Sequence, residues 1–212
     1  MKYTNLLTGV AVFAVAACSQ DASADDKLHP VQAICVDYVQ TGSMEGTVTE
    51  CHRDWGHERY TIEDLTLNMM GMTNRNNRHT IIADDQITSW DRDTNAGTIT
   101  TNPMYDDIVQ AADGDMESFA RDMIVAMGFT QTGTIRTIAG ESCEDWTSAS
   151  MGQMCFTEDA IVLDQTMSMG PTSISRVAVD VRYGDGGDDA NYQVPSNVTI
   201  TQGPDLSAIL GR

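Results

Sequence analysis

Apolar and polar residues alternate with a period of two in several short runs, and this pattern predicts strands. The first runs cover residues 33–39 and 47–52, joined by a turn at 42–46. A hairpin there sets Cys35 across from Cys51. An opening helix over 30–39 is the alternative, because Pro30 fits a first helical turn. Residues 60–72 form the next strand, with Leu65, Leu67 and Met69 on one face. Gly71 and residues 74–77 mark a turn. Runs over 79–83, 86–90 and 98–101 complete a meander, separated by Asp84-Asp85 and the polar turn 91–97.

The period then changes. Met116, Phe119, Ala120, Met123, Ile124 and Met127 fall at helical spacing and predict one amphipathic helix, capped by Asp113 or Asp115 and ended by Gly128. A shorter helix over 106–112 can precede it. Strand patterns return at 135–139, 153–157, 161–169 and 173–183. In 161–169, Ile161, Leu163, Met167 and Met169 share a face. In 173–183, Val177, Val179, Val181 and Tyr183 do, which implies one buried and one wet face. Segments 192–194 and 198–201 finish the sheet. The expected class is α+β, an antiparallel sheet with one or two helices.

The N-terminus follows a different logic. One positive charge at Lys2, an apolar run over 6–17 and the small residues before Cys18 make a secretory signal. The run is shorter than the about 20 residues needed to span a bilayer. Val15-Ala16-Ala17-Cys18 resembles the lipobox of bacterial lipoprotein signals, which implies cleavage before Cys18 and diacylglycerol on its sulfur. An ordinary signal with a chance cysteine is the alternative. Residues 1–17 are then the signal, 18–28 a flexible acidic tether, and 29–212 a single domain. Ser19 resembles the outer-membrane sorting pattern of enterobacterial lipoproteins, which implies the periplasmic side of the cell envelope.

The chain carries 31 acidic residues against 12 basic ones, a net charge of −19. Nucleic acid is excluded as a partner, because displacing counterions from phosphates needs Lys and Arg. An anionic lipid surface repels such a chain, so the membrane is met through the lipid anchor. Cys35, Cys51, Cys143 and Cys155 remain after Cys18, and an even set in an oxidising compartment argues for two disulfides. Three connectivities are possible; sequence-local pairing, Cys35–Cys51 and Cys143–Cys155, is the simplest. Zinc competes, but no C-x-x-C spacing occurs.

Catalytic signatures are thin, and no enzyme activity, catalytic residue, cofactor or metal site is expected. The run 42–46 lacks the Ser position of a nucleophile elbow. His52 and His57 point to opposite faces of a strand unless a turn intervenes near Gly56. Residues 91–97 resemble a calcium loop but put Ala96 where an EF-hand needs Gly, so a polar hairpin turn fits better. Methionine is abundant, with thirteen in the chain. Thioethers suit Cu(I), so Met70, Met72, Met167 and Met169 form a copper-binding alternative; ordinary apolar filling is the plain reading.

The residues Ala139-Gly140, Cys143, Trp146, Cys155, Thr157, Asp159 and Tyr192-x-Val194-Pro195, with Trp90-Asp91 in the first meander, carry a resemblance. They are similar to the bacterial lipoprotein-carrier (LolA/LolB-like) half-barrels, over most of the chain after the signal. Tyr192 stands where that family usually has Phe. The resemblance implies a curved half-barrel sheet with helices covering its concave face, and a groove able to hold an acyl chain. Leu65, Leu67, Met69, Leu163, Met167, Met169, Val177 and Val179 are expected on the concave face, with Phe119, Met123 and Met127 facing them from the helix. The expected function is a non-enzymatic, lipid-anchored envelope protein that binds or carries lipid or lipoprotein. A Met-rich copper-binding protein and a structural or interaction lipoprotein without ligand are the alternatives.

Overall fold

The computed structural model describes residues 27–204, apart from 70–71, 104, 113–115 and 170–171. The expected signal, Cys18 and most of the expected tether lie outside the described residues, as do Met70, the capping positions 113 and 115, and the side chains of Met69, Met116 and Met169.

Twelve strands form one open sheet: β1 (Ile34–Gly42), β2 (Met44–Arg53), β3 (Glu58–Met69), β4 (Met72–Ala83), β5 (Gln86–Asp91), β6 (Ala96–Thr101), β7 (Thr130–Ile138), β8 (Glu141–Ser148), β9 (Gly152–Phe156), β10 (Val162–Met169), β11 (Thr172–Tyr183) and β12 (Thr199–Gln202). Helices α1 (Tyr105–Ala112) and α2 (Met116–Ala126) lie between β6 and β7. The strand order is β12-β6-β5-β4-β3-β2-β1-β11-β10-β9-β8-β7. Two meanders therefore join where β11 returns to pair with β1. Neighbours run antiparallel except β12 beside β6, so the sheet is mixed. The Tyr38 hydroxyl, on β1, reaches past β11 and donates to the Val162 carbonyl on β10 at 2.9 Å. Arg136 on β7 likewise reaches Asp164 on β10 at 2.8 Å. Both spans require a curved sheet.

Several expected boundaries move for identifiable reasons. The opening segment is a strand, not a helix, and the Gly42 turn is tight, so β2 already begins at Met44. Residues 74–77 lie inside β4 rather than in a turn. Cross-strand partners absorb their polarity: Asn76 donates to Glu63, and Asn77 donates to Asp93 while accepting from Arg92. The polar turn after β5 is as read, with Asp91 Oδ1 accepting from the amides of Asp93 and Thr94. Helix α2 ends where Gly128 takes φ +83° and its amide closes on Val125 O. Segment 192–194 is not a strand. Residues Asp189–Tyr192 form a 3-10 turn in a strap that crosses the sheet before β12.

The core is divided. One cluster holds Ile34, Val36, Tyr38, Val48, Leu65, Leu163, Ala178 and the Cys143–Cys155 bridge. A second holds Cys35–Cys51 with Tyr60, Ile81 and Trp90, and the strap covers it with Tyr192 and Val198. His79 stacks on Trp90 (centroids 4.3 Å) and its Nε2 meets the Asn191 carbonyl at 2.9 Å. A third cluster, Phe129, Trp146, Met154 and Phe156, takes Ile124 from α2.

The N-terminal segment docks through histidines. The His29 ring packs at a tilt against His52 (centroids 4.1 Å, 49° between planes), and His52 Nε2 meets the Val31 carbonyl at 2.9 Å. Burial holds His29 neutral, down to about 3, aided by His52 and Arg59; burial also lowers His52. Unfolded histidines take a proton below about 6.5. The native state then binds fewer protons than the unfolded chain, so stability is full above that pH and falls as pH drops toward 3. The melting temperature should decline between pH 7 and 4.5, and decline less in His29→Gln. Equal slopes for the two proteins would refute this assignment.

Candidate functional site

Helix α2 meets the β7–β8–β9 end of the sheet incompletely. Of its apolar stripe, Ile124 seats in the third cluster and Phe119 is half-buried, while Met123 and Met127 remain 48% and 42% exposed. The sequence stripe is helical, but only part of it finds a partner surface. Between α2 and the strands lies a cavity of about 310 Å³. Its apolar wall is Ile124, Ile135, Trp146, Phe156 and Ala160; its polar wall includes Arg121, Gln131, Ser142, Glu144, Thr157 and Glu158. Trp146 and Phe156 meet edge-to-face at 6.2 Å, and Gln131 donates to Glu144 at 3.1 Å. Such a mixture can hold an apolar body with a polar end.

The residues expected to line a groove are dispersed. Leu65 and Leu163 are fully buried in the first cluster and are packed core. Leu67 pairs with Met44 and Met167 with Ile174, on the face shared with Leu65 and Gln40. Val177 and Val179 require correction. β11 carries a bulge, with Asp37 opposite Asp180 but Tyr38 opposite Ala178, which leaves Val179 without a partner and 56% exposed. The bulge shifts the alternation by one residue, so Val181 shares a face with Val36 while Val177 shares one with Val39. The cavity itself is lined by none of the eleven expected residues. Of its lining, Ile124 stood out in the sequence as part of the helix stripe, and Cys143, Trp146 and Thr157 as part of the resemblance, none of them as a ligand contact.

Of the methionines in the two motifs, Met69 ends β3, Met72 opens β4, and Met167 and Met169 lie at the end of β10. The β1–β2 turn sits between the end of β3 and the start of β11, with the Ser43 amide donating to Ser173 O and the Asn68 amide to Ser43 O. Met72 is 70% exposed. Met72 on β4 and Met167 on β10 are five strand steps apart, roughly 24 Å along the sheet. Among the described residues, no group of three or more His, Cys, Asp or Glu side chains is placed to hold a metal ion.

The histidines separate. The turn at Asp54–Gly56 intervenes, so His52 faces His29 while His57 Nδ1 meets Asp84 at 2.7 Å. Tyr105, at the start of α1, donates to the same carboxylate at 3.2 Å, and burial with Asp84 pushes its phenol up to about 12.

No protein-family model and no curated protein matches the chain. Among solved structures, an uncharacterized conserved protein from Thermus thermophilus is similar at 10% identity and TM-score 0.50, covering 82% of this chain and 91% of its own. The Pseudomonas aeruginosa MucA/MucB complex matches at 10% identity and TM-score 0.46, over 80% of this chain and 58% of that one. LprF from Mycobacterium bovis matches at 8% identity and TM-score 0.36, over 81% and 92%. The first likeness speaks to the fold alone, and the other two carry no argument.

Proposed function

We propose that this chain is a non-enzymatic, lipid-anchored protein of the bacterial cell envelope that binds an acyl chain or similar apolar ligand beneath α2. The anchor rests on the Cys18 lipobox pattern, and the outer membrane on Ser19. The ligand reading rests on one observation: a cavity of about 310 Å³ beside an amphipathic helix whose apolar side chains are largely unpartnered. That volume is at the lower end of ligand sites. Each CH₂ of a bound chain contributes about 0.8 kcal/mol. Ile135, 63% exposed on edge strand β7, extends the apolar surface outward from the cavity.

The test is titration with a fluorescent fatty acid, read also through Trp146, which lines the cavity. Saturable binding is expected, weakened at least tenfold by Ile124→Trp, which fills the space. Absence of saturable binding in the wild-type protein refutes the carrier reading and leaves an interaction lipoprotein.

A further inference from the structure

We infer that the cavity under α2 takes a ligand whose polar end is a single ammonium group, held against Trp146 and Phe156 and paired with Glu144. This rests on the ligand reading above and names the class of the ligand's head. Strand register builds the pocket. Glu144 lies opposite Ile135 on β7 and opposite Phe156 on β9, while Trp146 lies opposite Gln131 and Met154. Positions 144 and 146 fall on the same face of β8, and directly paired side chains stand about 5 Å apart at Cβ. The Glu144 carboxylate therefore rises between Ile135 and Phe156, beside Trp146. All four of these side chains line the cavity. The two aromatic rings meet edge to face, with 88° between their planes. Such a pair leaves the faces of one ring clear of the other, and the face of a π-system attracts a cation.

The carboxylates of this wall have no cation of their own. Glu144 Oε2 accepts from the neutral Gln131 amide at 3.1 Å, and Glu144 forms no ion pair among the described residues. Glu158, exposed two residues past Phe156, forms none among them either. Arg121 reaches the cavity from α2 and is already partnered within the protein. Arg136 belongs to the other face of the strands: it lies opposite Cys143, and Asp145 and Asp164 hold it.

Charge sets the ligand class. Two carboxylates and one guanidinium leave one negative charge at the cavity, in a chain of net charge −19. A carboxylate head adds to that charge, and an ammonium head neutralises it. Apolar walls screen the pairing with Glu144 less than open water does, and the acidic surface raises the local concentration of cations. Ile124, Ile135 and Ala160 are left to contact the apolar body. A fatty acid is then held by its chain alone. The ammonium can be that of a free small amine or the head of an amphiphile.

The test is calorimetric titration with octylammonium, octanol and octanoate at pH 7.5 and physiological salt, which screens the general attraction of the surface. Octylammonium should bind at least tenfold more tightly than the other two. Glu144→Gln should bring it to the level of octanol, whose own binding should not change. Glu144→Lys should reverse the preference toward octanoate, a gain that misfolding cannot produce. Displacement by ethylammonium identifies a site for free small amines, and octylammonium binding without displacement identifies an amphiphile head. Equal binding of octylammonium and octanol, both weakened by Ile124→Trp, overturns the ammonium assignment and leaves the cavity reading standing. Tighter octylammonium binding that Glu144→Gln leaves unchanged overturns the assignment as well. No saturable binding of any of the three overturns both readings.

Discussion

Replacing Cys35 and Cys51 together by alanine should lower stability by about 3 kcal/mol, the chain-entropy estimate for a loop of this size. The bridge joins residues directly opposite on β1 and β2, 16 apart in sequence, at the centre of the second core. Without it, the unfolded chain gains the freedom that the loop had removed, while the hairpin keeps its ladder. For a domain of this size the melting temperature should fall by roughly 6–12 °C. The equivalent Cys143–Cys155 pair, 12 apart, should show a similar loss. Urea unfolding under non-reducing conditions reads both, and the double-alanine proteins should no longer respond to reductant at the altered site. A change below about 1 kcal/mol would show that the bridges do not limit unfolding.

Leu163→Ala should cost about 3 kcal/mol, within the range for deleting a buried leucine side chain. Leu163 has no exposed surface and packs in the first cluster, near the place where β10 departs from regular register with β9. A close-packed interior relaxes only in part around the lost methyls. Val179→Ala supplies the contrast, because an exposed bulge residue should change stability by less than about 0.5 kcal/mol. Chemical denaturation of both variants, with unchanged slopes, decides the matter. Equal losses would contradict the bulge assignment in β11.

Local chemistry made much of this fold legible. Most of the period-two runs, the switch to helical spacing at Met116, the polar turn after Asp91 and the Gly128 stop are properties of neighbouring residues and map to observed elements, whereas the run at 192–194 is a 3-10 turn and β8 had no clear alternation to announce it. The disulfide pairing was legible for the same reason, since short sequence separations favour closure. The candidate cavity was not legible. It depends on where α2 settles against β8 and β9, and a stripe of apolar residues records that a helix is amphipathic without recording how much of it will be covered.

The sequence by itself determined the sheet-and-helix composition and the acidic character of the chain, and it made local cysteine pairing the simplest of three connectivities, because these follow from spacing, loop length and charge count; the structure then selected Cys35–Cys51 and Cys143–Cys155. Tertiary structure alone decided three things. The bulge at Val179 reversed the faces along β11, since one extra residue shifts a two-residue alternation. The strap over Tyr60 and Trp90 made β12 parallel to β6, since the chain crosses the sheet before its last pairing. The return of β11 to β1 set Arg176 beside Glu50 across well over a hundred residues of chain, and no local pattern encodes a contact whose partners meet only when both meanders are folded.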